Sequence, residues 1–478
     1  MVLFILTTIG VLLVAFFGQV VRKPERSIYL FTLASFVFPK NWNFELGGQP
    51  VLLYRAVQLL LFCIVVYAIW VHRDKRAQLR SRPSLRRFLL AFALVIGFDT
   101  LVPLLLAATG IRARPVEVSV LRQVFLATHY LFALALLAAA MLFLDSVERI
   151  EAFFKWVAIC GIFGLLDFVF LYLLDIAPAI RDEMTGASGG FGGVFLGGPD
   201  GLGRMAIMIV FAALYFVSFR RSWGYFVLVV AGLLLVLVSG SRPVAISALA
   251  GFLLYLWLCR HQRQRVVRTP FFASLVLLIA IFLPWGVYVF QAEGAVVGSV
   301  QSVTQRQDYF QAGVGTLERL AIWARGLDVL IATFPFGTGG GLYPYYMAAS
   351  IPAHFSFSGV AATIYARITA HEIVSAHNLY VEFIVENGLA GVILVGWYGL
   401  LCWRSYKTFR RLGTSLDEQH RYLLISTFCI LFAAALNVMT DATFKAYWLY
   451  AILLSVAVIL SGTAQPQFEP DADVSSVK

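Results

Sequence analysis

The feature that most constrains this chain is the recurrence of apolar runs, many of them long enough to be helices crossing a bilayer. A backbone passing through roughly 30 Å of hydrocarbon must satisfy its own hydrogen bonds, and a helix of roughly 20 apolar residues does so. Such runs lie near 2–21, 27–39, 51–71, 88–108, 119–144, 152–176, 204–219, 223–239, 243–259, 270–290, 388–403, 422–439 and 446–461, the second being short. With 60% hydrophobic residues, 13% charged residues and a mean hydropathy of +0.83, the composition excludes a soluble domain, in which roughly 25% of residues are charged. The expected fold is therefore an all-α polytopic membrane protein of about 12–13 transmembrane helices with one long external loop containing an amphipathic helix.

Charge sets the expected orientation. The run Val2 to Val21 is followed by Arg22, Lys23 and Arg26 instead of a small-residue cleavage site, and so reads as a retained signal anchor. Alternation from an external N-terminus then places Arg73 to Arg87, Arg220 with Arg221, Arg260 to Arg268 and Arg404 to Arg411 on one face. That face is cytoplasmic by the bias of basic residues toward the inside. The net-acidic loop Asp145 to Glu151 runs against this pattern. The formal charge of +11 thus points to anionic lipid headgroups as partners and not to nucleic acid. Five scattered cysteines, Cys63, Cys160, Cys259, Cys402 and Cys429, offer neither a disulfide framework nor a zinc site.

The expected organisation is transmembrane helices 1–10 over residues 1–291, an external loop over 292–377, the last three spans over 378–462, and a disordered cytoplasmic tail over 463–478. Loops as long as 292–377 are uncommon and tend to carry function.

Three elements on the external side bear chemistry. In Ser239-Gly240-Ser241-Arg242-Pro243 an arginine stands where the charge bias disfavours it; small neighbours and a helix N-terminus would let an anion approach. In the long loop, Leu317, Leu320, Trp323, Leu327 and Leu330 recur at helical spacing, predicting an amphipathic interfacial helix over 316–332. Phe334-Pro335 and the glycines Gly337, Gly339, Gly340 and Gly341 end it. That run lacks the Lys-Ser/Thr ending of a phosphate-binding loop and reads as a turn bringing backbone close to something. Third comes His371-Glu372 and, six residues on, His377-Asn378, a spacing unsuited to two metal ligands on one helical face. His377 stands where the loop re-enters the membrane and can accept a proton near neutral pH. No cofactor and no metal is expected. Arg122 and His129, seven apart, share a face of the fifth span, and ionisable residues within membranes are functional candidates.

Taken in order, Ser239 to Arg242, Arg319 with Trp323, Pro335 to Gly339, and His377 with Asn378, Glu386, Gly388 and Gly391 resemble the O-antigen ligase and O-antigen polymerase superfamily. The resemblance runs from about residue 190 to 391. It implies a glycosyltransferase that moves a glycan from an undecaprenyl-diphosphate carrier to an acceptor hydroxyl at the external, periplasmic face of the bacterial inner membrane. The acceptor would be lipid A-core in a ligase or a further lipid-linked glycan in a polymerase. By the same resemblance Arg242 and Arg319 bind the carrier diphosphate and His377 deprotonates the acceptor. Arg122, Arg204, Arg325, Asn378, Glu386 and Trp323 are further candidates to support the site. Pro199-Asp200 stands where family members often carry Pro-Asn, which leaves that position without an assigned role. A protein-glycosylating transferase and a polysaccharide transporter are the competing classes.

Overall fold

A computed structural model provides the coordinates. The structure describes residues 18–20, 22–37, 43–46, 49–72, 83–108, 120–169, 199–239, 242–259, 323, 326–339, 342–343, 346, 378–412, 416–437 and 456. Among these, the elements in chain order are α1 (Glu25–Val37), the hairpin β1 (Asn43–Leu46) and β2 (Gln49–Leu52), α2 (Leu53–Val71), α3 (Pro83–Ala108), α4 (Val120–Phe143) and α5 (Val147–Phe168). They continue with α6 (Pro199–Ser218), α7 (Trp223–Val238), α8 (Arg242–Cys259), α9 (Leu379–Leu412) and α10 (Glu418–Asn437). A short helix over 326–333 lies between α8 and α9. Among the described residues the chain is thus helical apart from one two-stranded antiparallel ladder, Asn43 pairing with Leu52 and Leu46 with Gln49.

Helix positions follow the apolar runs closely. Three departures are informative. The run at 27–39 forms only the 13-residue α1, about 20 Å long at 1.5 Å per residue and so short of the hydrocarbon thickness. Residues 43–52, from after the second run into the first two residues of the third, are not a plain connection but the hairpin. Further on, the run starting at 388 is part of a longer helix: α9 begins at Leu379 and is broken internally at Gly388. Leu379–Arg411 and Glu418–Asn437 are long and apolar enough to cross a membrane, and shorter apolar helices include Leu202–Ser218, Trp223–Leu237 and Pro243–Cys259. The runs at 270–290 and, apart from Val456, 446–461 lie outside the described residues, as does most of 2–21.

The centre of the molecule is α6, buried on every side from Met205 to Val217. A helix apolar all round must be enclosed by others, and α5, α7, α8 and α10 enclose it. Small residues set how closely they approach, as in membrane helix pairs generally. A Cβ added at Gly161 of α5 would stand 2.6 Å from Ile209, at Gly232 of α7 2.7 Å from Val210, and at Gly251 of α8 2.8 Å from Phe211. On α6 itself, a Cβ at Gly203 would stand 2.5 Å from Val244 of α8. Every one of these seams runs along α6.

At one end of this bundle the acidic Asp145-to-Glu151 stretch, which runs into the first turns of α5, meets basic and polar groups from two other stretches. Arg220 donates twice to the Glu151 carboxylate, at 2.8 and 2.9 Å, and Gln419 donates to it at 2.6 Å. The acidic stretch at the start of α5 is therefore partnered by the Arg220–Arg221 loop, and the two share an end of the bundle. That is why its sign could depart from the basic pattern.

A second, smaller core joins α3, α4 and α9 through Phe88, Phe92, Ile96, Leu137, Phe383 and Leu394. Phe88 meets Trp397 edge-on at 5.7 Å, and Phe92 lies 6.4 Å from Phe383.

Candidate functional site

The helix over 326–333 carries on its inner side Gly326, Val329 and Thr333, all buried. Gly326 leaves room for Tyr343: a Cβ there would lie 3.2 Å from the Tyr343 hydroxyl and 3.1 Å from Val381 of α9. Thr333 donates back to Val329 O at 2.8 Å, and the helix stops at Phe334 and Pro335, joined by a cis peptide bond. Gly337 and Gly339 follow with φ of 76° and 94°, a region that side chains other than glycine rarely adopt. The expected end of the helix at the proline and glycines is what the structure has.

This turn is docked on the break in α9. Gly388 has φ 58° and ψ −136°. In an unbroken helix Val385 O would accept from the Leu389 N–H. Instead Leu389 donates to Pro335 O at 2.9 Å, while Val385 O accepts from Thr338 N–H and Glu386 O from Gly339 N–H, both at 3.0 Å. Each of these backbone groups at the break finds its partner on the turn, as buried backbone groups must. No room remains for side chains at the contact. A Cβ on Gly388 would stand 2.2 Å from Pro335 O, and one on Gly337 would stand 2.3 Å from Glu386 O. The glycine run does bring backbone close to something, and the partner is the Val385-to-Leu389 stretch.

The start of α9 is fixed by its own cap. Asn378 Oδ1 accepts from the Tyr380 and Val381 N–H groups at 3.0 and 3.1 Å, and Asn378 O accepts from Glu382 N–H at 3.0 Å. Side-chain oxygens at this position satisfy amides that a helix start leaves unpaired. The sequence singled out Asn378 as a supporting residue without a role; the role visible is capping. Further along, Asn387 donates to Phe383 O at 2.8 Å, bracing the last turn before the break. Residues 379–387 are thus a short rod tied at both ends.

On the buried side of that rod lie Glu382 and Glu386, 1% and 0% exposed, facing Tyr343. Burial raises the Tyr343 phenol well above its ordinary value, and the two carboxylates push it the same way. Its hydroxyl therefore stays protonated at any working pH. Glu382 and Tyr343 are site neighbours that sequence reasoning missed. The signal was there for Glu382, which stands four residues before Glu386 and so on the same helical face.

Elsewhere, α6 and α8 begin side by side. A Cβ at Gly203, in addition to meeting Val244, would stand 3.0 Å from Ser239 Oγ, and Ser239 is buried, donating to Val236 O at 2.7 Å. Arg242 is the first residue of α8, and Arg204, half-buried, lies in the opening turns of α6. Two helix N-termini and two arginine positions thus share one end of the bundle, an arrangement that favours anions. The helix α10 links this bundle to α9: it packs on α8, and Tyr380 donates to Ala435 O at 3.4 Å.

Of the other candidates, Trp323 is helical and half-buried, and Glu386 lies fully buried beside the turn. Arg122 and His129 lie on α4; their side chains are outside the described residues, as is that of Arg242, and as are His377, Arg319 and Arg325 altogether. Among the described residues no three His, Cys, Asp or Glu side chains are grouped to hold a metal ion.

The turn, the break and the Asn378 cap all fall within one stretch that matches a known family. Residues 226–396 match the O-antigen ligase family. The O-antigen ligase match opens inside α7, takes in Arg242, the helix over 326–333 and the docked turn, and closes inside α9 beyond Gly391. O-antigen ligases are bacterial integral membrane proteins that act in polysaccharide biosynthesis, in keeping with the apolar helices described above. No curated protein matches the chain.

Proposed function

We propose that the protein transfers a glycan from an undecaprenyl-diphosphate carrier to an acceptor hydroxyl at the periplasmic face of the inner membrane, as a ligase and without a metal. The observation that carries this reading is the docking of the Pro335-to-Gly339 turn onto the α9 break, inside the O-antigen ligase match. It ties down the far end of the 379–387 rod, whose near end is the Asn378 cap, and His377 immediately precedes that cap.

No nucleotide supply exists outside the cytoplasm, so a transferase there needs a donor that is already activated, and a lipid diphosphate is one. Arg242 and Arg319 are proposed to bind the diphosphate, with Arg204 added by its place beside the opening of α8. Guanidinium groups stabilise the charge that builds on the departing diphosphate through preorganised, charge-assisted hydrogen bonds. His377 takes the acceptor proton as the glycosidic bond forms. Arg122, Arg325 and Trp323 are placed in supporting roles around the donor.

The test is transfer by the purified protein in vesicles, supplied with lipid-linked glycan and, in separate arms, lipid A-core, a second lipid-linked glycan or a protein acceptor. The expected result is carrier diphosphate released with glycan on lipid A-core. Product on lipid-linked glycan alone would make the protein a polymerase, product on protein alone a protein glycosyltransferase, and glycan movement without diphosphate release a transporter. His377→Ala is expected to lower transfer by about 10²- to 10⁴-fold, the usual worth of general-base help, with membrane insertion intact. Near-normal transfer by that variant would overturn the assignment.

A further inference from the structure

The helix over 326–333 and the turn after it carry, on the side away from α9, an unbroken apolar stripe. Leu327 and Ile331, one helical turn apart, are 56% and 76% exposed, and Phe334 and Phe336 continue the stripe at 60% and 48%. Asp328 lies at its edge, also exposed. The stripe does not stand alone. Phe336 lies 5.7 Å from Phe98 of α3, and on α3 the residues Leu90, Leu94, Phe98, Leu101 and Leu105 are all exposed. Spaced three or four apart, they form a single face. The opposite face of α3 is buried against α4 and α9. On a helix of 26 residues in a membrane chain, an exposed face of this kind is the one turned to lipid.

Two helices measure how deep the turn lies. On α3, Phe98 stands twelve residues beyond the exposed Arg86, about 18 Å along a helix rising about 1.5 Å per residue. On α9, Leu389, which donates to Pro335 O, stands fifteen residues before the exposed Arg404, about 22 Å by the same measure. Both arginines belong to the loops that the charge pattern places at the cytoplasmic boundary. The two measures agree, and both fall short of the roughly 30 Å of hydrocarbon.

We propose that residues 327–339 form a re-entrant element seated in the outer leaflet, with Leu327, Ile331, Phe334 and Phe336 against lipid hydrocarbon chains. The inference rests on the membrane orientation used in the proposed function and goes beyond the surface-lying helix that sequence periodicity predicts. It also explains the docked turn. Irregular backbone is tolerated at membrane depth only where protein satisfies it, and Pro335 O, Thr338 N–H and Gly339 N–H are all satisfied by α9. The diphosphate of a lipid carrier sits at the headgroup level, so such an element would reach beneath it and meet the carrier's lipid chain first.

The experiment places one nitroxide label on the full chain in phosphatidylcholine and phosphatidylglycerol vesicles, at Ile331→Cys, Phe334→Cys or Leu94→Cys, with the native cysteines replaced by alanine or serine. Collision with oxygen, which concentrates in hydrocarbon, is compared with collision with a water-soluble nickel chelate. The expected result is that labels at 331 and 334 behave like the label at 94, with oxygen favoured at least tenfold over their accessibility to nickel. Labels at 331 and 334 open to nickel while 94 remains lipid-facing would overturn the re-entrant element and leave the membrane reading of α3 standing. A label at 94 open to nickel would overturn both, because the lipid face of α3 is the ruler. Circular dichroism and transfer activity of each labelled protein confirm that the fold measured is the native one.

Discussion

The bundle around α6 and the region around the α9 break are built on different principles. Around α6, side chains do the work: glycines on four helices let neighbours close on Ile209, Val210, Phe211 and Val244, and aromatic residues such as Tyr215 and Phe154 fill the interior. At the break, backbone meets backbone through three hydrogen bonds, with glycines at the points of contact and large apolar side chains left facing outward. Close-packed side chains resist change of volume, whereas a backbone contact resists change of register. The first region thus holds the protein together, and the second holds a geometry.

Several substitutions would break or sharpen that contrast. Phe211→Ala, in the side-chain region, is expected to have the largest effect on stability, about 3–5 kcal/mol for an aromatic residue removed from a closed core. Its readout is a denaturation midpoint in detergent, and transfer per folded molecule should be nearly unchanged. Gly388→Ala should do the reverse. Its methyl would fall 2.2 Å from Pro335 O at a positive φ, so the turn must move away. A displacement of about 1 Å is enough to cost on the order of 10²-fold in rate, measured as transfer by folded protein with a midpoint shifted far less than for Phe211→Ala. Equal loss of stability and transfer in both variants would erase the distinction between the regions. The smallest effect belongs to Arg220→Ala. That side chain is about half exposed, and solvent screening leaves such ion pairs worth about 0.2–1 kcal/mol. A larger midpoint shift would mean that the loop contact organises the bundle end more than its exposure suggests.

How far the sequence foretold this differs between the same two regions. The helices of the bundle were legible because each is a continuous apolar run, and α6 to α8 fall on the expected runs within a few residues. The turn at Pro335 to Gly339 and the Glu386 to Gly391 stretch were legible as separate motifs. Their meeting was not, because hydrogen bonds between backbones leave no complementary residue types to read. The early start of α9 was hidden by composition: an apolar window over 388–403 passes by the capped rod before it, where Glu382, Glu386 and Asn387 dilute the pattern. Tyr343 escaped because nothing local marks a tyrosine destined to face two carboxylates from a helix more than 35 residues on. The β hairpin lies in a segment too short for periodicity to separate strand from helix.

The docked turn has a consequence for how chains of this kind can vary. Its register is set by atoms within five residues on one side, Pro335 to Gly339, and five on the other, Val385 to Leu389. The contact itself places no such limit on the length of chain between Tyr346 and His377. A segment ahead of His377 could be exchanged there, like a cartridge in a fixed mount, while the two short stretches that form the mount admit neither an added residue nor a deleted one.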